Sequence, residues 1–242
     1  MKKFSFALNI IATAALAAVL GYFSVTKFTA YDVKTSILNY VILLAVSLPV
    51  ATVLHELGHL LFGAFVGIKA VPKLSFVNSS SCDIIPKTEK NLRGKIIFTT
   101  LGGIFVNALC IVLGGLAFVF NAIPAEISAI IPASFYLLLL NALPFWYSGG
   151  KSDGLVIREL AKNTDGAKVL LGVLTIQAQI LKGKPIEEVD EKLLFDLPQI
   201  QEDDQSFIAL TELRYEYFKA KGDEKQAEFY KNRFEELKNT YL

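Results

Sequence analysis

Charged residues, cysteines and histidines are all scarce in this sequence. Charged residues make up 19% of the 242 and apolar residues 53%, whereas a soluble domain has about 25% and 45–50%. The net charge is only +1, so no positive excess favours a nucleic-acid partner and we expect none. The two cysteines, Cys82 and Cys110, lack the spacing of metal ligands. Because Cys110 lies inside an apolar run, a disulfide between them is disfavoured as well.

Long apolar runs, by contrast, fill the first 147 residues. Four are long enough to cross about 30 Å of hydrocarbon, namely Phe4–Val25, Ile37–Val66, Ile96–Phe120 and Ile127–Trp146. The first resembles a secretory signal, but its length favours a retained helix over a cleaved one. The second contains Pro49, which should kink the helix. The sequence therefore predicts an all-α membrane protein with about four transmembrane helices.

Three polar or amphipathic segments complete the predicted organisation. Val71–Val77 alternates apolar and polar residues, which favours a strand or small hairpin beside the membrane. Lys151–Gly183 is expected to be helical and to lie on the membrane surface, with a fifth crossing at Val169–Leu181 as the alternative. Gln205–Leu242 has helical periodicity interrupted at Lys221-Gly222-Asp223, which predicts a cytoplasmic helical hairpin. The expected domains are an N-terminal helix with an external loop at 1–34, a membrane core at 35–160, an amphipathic linker helix at 161–183 and a soluble hairpin domain at 184–242.

The distribution of lysine and arginine predicts the orientation, since cytoplasmic loops carry the excess of these residues. With the N-terminus inside, the external loops contain only Lys27 and Lys34. The cytoplasmic segments then contain Lys2, Lys3, Lys69, Lys73, Lys87, Lys90, Arg93, Lys95, Lys151 and Arg158. We therefore expect a multi-pass protein of the cell membrane with both termini in the cytoplasm.

Residues 54–60 read Leu-His-Glu-Leu-Gly-His-Leu and contain both histidines of the chain. On a helix His55 and His59 project from the same face and can bind one Zn²⁺, while Glu56 can act as general base toward a water on the metal. Ionisable residues are costly inside a spanning helix and mark functional sites there. The motif therefore predicts a zinc site with Glu56 as its catalytic residue.

A catalytic zinc usually has a third protein ligand, and with no third histidine it must be a carboxylate. The candidates are Asp83, Glu89, Glu126, Asp153 and Asp165. Glu126 falls on the external side under the predicted topology. Asp153 follows the fourth span on the same side as the two histidines, in a glycine-flanked turn, and is the preferred candidate.

These motifs resemble the site-2 protease family of intramembrane zinc metalloproteases, over roughly residues 35–160. His55 to His59 match the His-Glu-x-x-His helix, and Leu101 to Asn107 match a small-residue motif that ends in asparagine. Asn141, Pro144, Asp153 and Gly154 match, in order, a third motif whose aspartate binds zinc. The interval from Pro144 to Asp153 is longer than the family pattern, as though Trp146–Lys151 contained a small insertion.

The resemblance implies a zinc metalloendopeptidase that cuts peptide bonds in or next to transmembrane segments, as in regulated intramembrane proteolysis. His55, His59 and Asp153 would bind Zn²⁺, and Glu56 would activate the water. The accessory residues are Asn107, Asn141, Gly102 and Gly103. The asparagines would act near the substrate or the metal or else only make interhelical hydrogen bonds, and the glycines would bind substrate or else only permit close helix packing. The substrate would be a transmembrane protein or a signal-peptide remnant in the lipid bilayer, and the C-terminal hairpin would be free to bind a protein partner.

Two other functions remain open. The chain could be a catalytically lapsed scaffold or partner-binding subunit that retains a residual metal site, although a closed structural site gives Glu56 no role. A zinc transporter should carry intramembrane acids or histidines on several spans, whereas this sequence has one such cluster.

Overall fold

The computed structural model describes residues 33–73, 81–120, 122, 127–147 and 150–241, together with scattered positions among the first 22. The described chain is mostly helical, with two short sheets of two strands each. The helices are α1 (Val33–Val66), α2 (Leu92–Val119), α3 (Ile130–Ala142), α4 (Asp153–Lys162), α5 (Asp165–Leu181), α6 (Glu191–Phe195), α7 (Gln205–Lys221) and α8 (Glu224–Tyr241). The strands are β1 (Ile68–Lys73), β2 (Ser81–Pro86), β3 (Trp146–Tyr147) and β4 (Gly150–Lys151), and single 3₁₀ turns occupy Ile127–Ala129 and Ile186–Glu188. The helix expected at Phe4–Val25 lies largely outside the described residues.

Helices α1 and α2 pack against each other and are both long and apolar enough to cross a membrane. Only 22% of the most apolar window of α1 and 33% of that of α2 are buried. Large apolar side chains such as Leu61, Phe65 and Phe105 are more than half exposed. The two helices thus turn much of their apolar surface outward, which is unusual for a protein surrounded by water.

The helix expected over Ile127–Trp146 is shorter than predicted. A 3₁₀ turn leads into α3, which ends at Ala142, and Trp146 belongs to a strand. The cause is Pro144, since the residue before a proline is forced out of the helical region. Leu143 accordingly has φ −83° and ψ 139°. Two helices of spanning length are therefore seen in the described residues, and α3 is a shorter apolar helix beside them.

The strand expected at Val71–Val77 is present in part. Gly67 ends α1 with φ 73°, a left-handed conformation that glycine adopts readily. β1 then runs antiparallel to β2, with Ile68 opposite Pro86 and Lys73 opposite Ser81. Residues 74–80 lie outside the described part of the chain.

The amphipathic segment expected at 151–183 forms two helices rather than one. Asn163 adopts a left-handed conformation with φ 51°, and the Thr164 side chain caps α5 by accepting from the Ala167 backbone N–H. The apolar face of α5 packs on other parts of the chain, with Val169 and Ile176 fully buried. This 17-residue helix therefore packs within the folded chain, with protein covering its apolar face. It is not among the helices of the described residues that are long and apolar enough to cross a membrane.

The helical hairpin expected at the C-terminus is present. Gly222, with φ 74°, ends α7, and α8 begins two residues later. The two helices are joined by Phe218 stacked on Tyr230, with ring centroids 5.5 Å apart, and by Leu237 packed with Phe207. α7 also packs on α5 through an apolar cluster that includes Leu210 and Tyr217.

Candidate metal centre

The two histidines and the glutamate of the motif lie on the buried face of α1. His55, Glu56 and His59 are only 4–5% exposed. The side chains on the opposite, exposed face of this helix, such as Leu57 and Leu61, are apolar. The polar side chains of the motif therefore all point into the protein. The fold therefore gathers all three side chains of the motif at one place.

Asp153 joins the two histidines although it comes from a distant helix. The Asp153 Oδ2 atom lies 3.2 Å from His55 Nε2 and 3.3 Å from His59 Nε2, and the two Nε2 atoms lie 3.2 Å apart. The potential ligand atoms of these three residues all fall within 4.8 Å of one another. This buried group could hold a metal ion.

The turn before Asp153 brings it to this position. Ser152 is fully buried; its hydroxyl donates to the Leu143 carbonyl at 2.6 Å and accepts from the Phe145 N–H at 3.1 Å. The same hydroxyl caps α4 by accepting from Leu155 N–H. β3 and β4 form a small ladder in which Trp146 pairs with Lys151. This ladder brings Lys151 back beside Trp146, so that Asp153 begins α4 close to the end of α3.

Hydrogen bonds on the far side of each imidazole fix the ring orientations. His59 Nδ1 lies 3.0 Å from the Thr99 carbonyl. A carbonyl can only accept, so His59 carries a proton on Nδ1 and directs its Nε2 atom toward the cluster. His55 Nδ1 lies 2.9 Å from the amide of Asn107, which is fully buried. An amide can serve either tautomer, because a half-turn exchanges its nitrogen and oxygen.

The two glycines predicted as accessory residues let α2 approach α1 closely. A Cβ added at Gly102 would collide with the Gly58 backbone, and one added at Gly58 would collide with Gly102. A Cβ at Gly103 would lie 2.6 Å from His59 Nε2 and 2.7 Å from His55 Nε2. Gly102 therefore serves helix packing, while Gly103 keeps clear the space beside the two histidine nitrogens.

The cluster opens into a cavity of about 820 Å³. Glu56 lines it, and Glu56 Oε2 is buried without a hydrogen-bond partner among the described residues. Asn141 lines it too, and its amide donates to the Leu137 carbonyl of its own helix at 3.0 Å. Other walls come from β2, α5, α7 and α8. The C-terminal hairpin therefore contributes to the same cavity as the histidines.

The other carboxylates considered as third ligands lie elsewhere. Asp83 pairs with Lys73 at 2.8 Å, and Asp165 pairs with Lys168 at 2.7 Å; both acids are about half exposed. Glu89 accepts hydrogen bonds from Gln179 and Lys182 of the α5 end. Glu126 lies outside the described residues.

Cys82 also lines the cavity but does not belong to the group of side chains that could hold a metal ion. Burial, together with the negative charges of Glu56, Asp153 and Asp83, raises the pKa of Cys82 to about 12. Because the thiolate is the form that attacks electrophiles, the free Cys82 thiol is a weak nucleophile at neutral pH.

The donor set fits a metal of the zinc type. Two imidazoles and one carboxylate are the three protein ligands expected of a catalytic zinc, which keeps a further position open. Asp153 Oδ2 is buried and has no well-formed hydrogen bond among the described residues, although two imidazole nitrogens lie within 3.3 Å. A cation shared by the three atoms would satisfy this oxygen, and the space that a Cβ at Gly103 would fill borders that position.

Several residues that shape the site carry no signal in the sequence pattern. Thr99 contributes a backbone carbonyl, which any residue could supply. Ser152 is a helix cap whose second role, tying the turn to α3, depends on the fold. Lys151 bonds Glu159, eight residues on, and Asp204, which is far along the chain and reaches Lys151 only in the folded structure.

Comparisons of the chain with protein-family models, with curated proteins and with solved structures find no match. The chemistry of the site is therefore inferred from its own side chains, which place two histidines, an aspartate and a buried glutamate at the end of one cavity.

Proposed function

We propose that this chain is a membrane-embedded zinc metalloprotease, similar to the site-2 protease family, that hydrolyses peptide bonds in or next to transmembrane segments. The observation that carries the proposal is the arrival of the Asp153 carboxylate, from α4, at both imidazoles of α1. A chance pair of histidines in an apolar helix would not be expected to meet a buried acid from another helix.

Each side chain then has a role. His55, His59 and Asp153 hold the metal, and this ligand set favours zinc. A zinc ion there supplies Lewis acidity toward a water and a peptide carbonyl. Glu56 takes the proton of the attacking water and returns it to the leaving amine, as a general base that then acts as acid. Its unpartnered Oε2 is consistent with a carboxylate that is kept free for this transfer.

Membrane embedding is supported by the surface of α1 and α2. Their outward faces are apolar and largely uncovered, while His55, Glu56, His59 and Asn107 are buried. Surrounding lipid would cover the exposed apolar faces and would account for the burial of the polar side chains. We further propose four crossings with both termini in the cytoplasm, which is the topology that the lysine and arginine distribution favours.

Water and substrate would reach the site through the cavity. Its walls include Lys73 and Asp83, whose side chains are 63% and 48% exposed, so the cavity leads from the buried cluster to a polar surface. A transmembrane helix hides its peptide bonds and must unwind locally before cleavage. Ile84 and Ile85 of β2 line the cavity, and a strand added beside the β1–β2 sheet would present an unwound segment to Glu56.

Co-expression with candidate single-span membrane proteins tests the function. The wild-type chain should produce a shortened fragment that Glu56→Gln does not, while Glu56→Gln retains bound metal because Glu56 is not a ligand. Asp83→Asn is the matched control, since Asp83 lines the same cavity but pairs with Lys73, and it should cleave as the wild type does. Metal bound by both the wild type and the Glu56→Gln variant, with no cleavage of any substrate, would favour the scaffold function instead.

A further inference from the structure

A buried ionic cluster connects the turn that carries Asp153 to the C-terminal helices. Lys151, two residues before Asp153, places its ammonium 2.7 Å from Glu159 Oε2 and 2.6 Å from Asp204 Oδ2. The three side chains are 11%, 16% and 5% exposed. The ammonium also lies 5.0 Å from the centre of the Trp146 ring. Such enclosure distinguishes this cluster from the solvent-exposed ion pairs of the chain.

The two carboxylate oxygens of Asp204 make different interactions. Its Oδ1 accepts from the Ser206 backbone N–H and caps α7. Its Oδ2 accepts from Lys151. The start of α7 is therefore attached, through a single side chain, to the strand that leads into the metal-binding turn.

Only Ser152 separates Lys151, which bonds Asp204, from the proposed metal ligand Asp153. Lys151 is followed by Ser152, the cap of α4, and then by Asp153, the first residue of that helix. Glu159, the second partner of Lys151, is on the same helix. A shift of the Lys151 ammonium would therefore move the first turn of α4 and the Asp153 carboxylate with it. Because a metal site tolerates displacements of only about 0.2 Å, such a shift should be visible in metal affinity.

We propose that Lys151 and Asp204 are positioning residues of the metal site, through which the C-terminal helical hairpin holds Asp153 in place. The inference rests on the proposed metal site. It gives the hairpin a role inside the enzyme, in addition to forming a wall of the cavity, and it makes the metal affinity sensitive to how α7 is docked.

The test measures the zinc dissociation constant of the full chain in detergent or lipid nanodiscs, by competition with a chromophoric chelator. Lys151→Met and Asp204→Asn should each weaken zinc binding by roughly tenfold, as changes beyond the direct ligands commonly do. An asparagine in place of Asp204 still caps α7, so a loss in that variant is due to the ion pair and not to the cap. The double variant should be no weaker than Lys151→Met alone, since both changes break one link.

Lys168→Met is the matched control. It removes an ion pair of the same 2.7 Å length, with Asp165, but at an exposed position, and should leave the dissociation constant unchanged. Thermal unfolding of the metal-free proteins distinguishes a variant that misfolds from one that folds but binds zinc weakly. If Lys151→Met does not fold, Asp204→Asn alone tests the inference. Wild-type affinity in folded Asp204→Asn, with binding still abolished by His55→Ala, overturns this inference and leaves the metal site standing. A wild-type chain that binds no zinc overturns both.

Discussion

Gly103→Ala is a one-methyl change that should prevent metal binding although it replaces no ligand. The added Cβ would lie 2.6 Å from His59 Nε2 and from His55 Cε1, and 2.7 Å from His55 Nε2. Ordinary contacts of a Cβ begin at 3.4 Å, so the imidazoles would have to retreat by roughly 0.8 Å in a closely packed interior.

That displacement is several times what a metal site accepts, which is about 0.2 Å in ligand distance. The rings cannot move without also breaking the bonds of His59 to Thr99 and His55 to Asn107, at 3.0 and 2.9 Å. We therefore expect zinc affinity to fall by at least about 100-fold, the upper end of what losing such supporting contacts costs. Cleavage should fall with it.

The same helix offers two controls. A Cβ at Gly115 meets nothing within 4 Å among the described residues, so Gly115→Ala should bind zinc as the wild type does. Gly102→Ala would push against the Gly58 backbone and should lower the stability of the α1–α2 pair itself. The assay is chelator competition on purified protein, with thermal unfolding of the metal-free form. Wild-type zinc affinity in Gly103→Ala would refute the assignment of the ion to the space bordered by this glycine.

Three further predictions follow from the site and its surroundings. Asp153→Ala should abolish cleavage and weaken zinc binding by about 100-fold or more, on the order of a lost direct ligand, whereas Asp83→Ala should change neither. Asn107→Leu should weaken zinc binding about 10–100-fold, while Asn107→Asp, which still offers an oxygen to the His55 ring, should retain most of it. Hydrogen bonds from Gln179 and Lys182 lower the pKa of Glu89, so its contact with the end of α5 stabilises the fold above the ordinary glutamate pKa and is lost as the pH falls through the lowered value. Unfolding of wild type and Glu89→Gln should therefore differ at pH 7 and converge in acid, by a small amount because the pair is exposed.

Each of these has an outcome that would contradict it. Equal zinc content in Asp153→Ala and wild type would show that Asp153 is not the third ligand. A loss of zinc in Asp83→Ala would instead assign that role to Asp83 on β2. Equal losses in Asn107→Leu and Asn107→Asp would show that the residue only packs. A stability difference between wild type and Glu89→Gln that persists undiminished in acid would separate the Glu89 contact from its ionisation.

The local motif was readable from the sequence because helical geometry alone decides it. Residues three or four apart on a helix share a face, so a helical segment by itself places His59 beside both His55 and Glu56. The apolar character of α1 and α2 was equally readable, since it is a property of composition and length. The helical hairpin at the C-terminus followed from its periodicity and from Gly222.

The rest depended on tertiary structure. Five carboxylates were compatible with the composition. The arrival of Asp153 at the histidines depends on Ser152, on the end of α3 before Pro144 and on the small β3–β4 ladder. The burial of α5 inside the protein was not predicted, because an amphipathic pattern reports that one face is apolar and not what covers it. The roles of Gly103 and Lys151 also emerged only in three dimensions. Gly103 matters because it leaves space for two histidine side chains of another helix. Lys151 matters because it bonds Asp204, which the fold brings back from far along the chain.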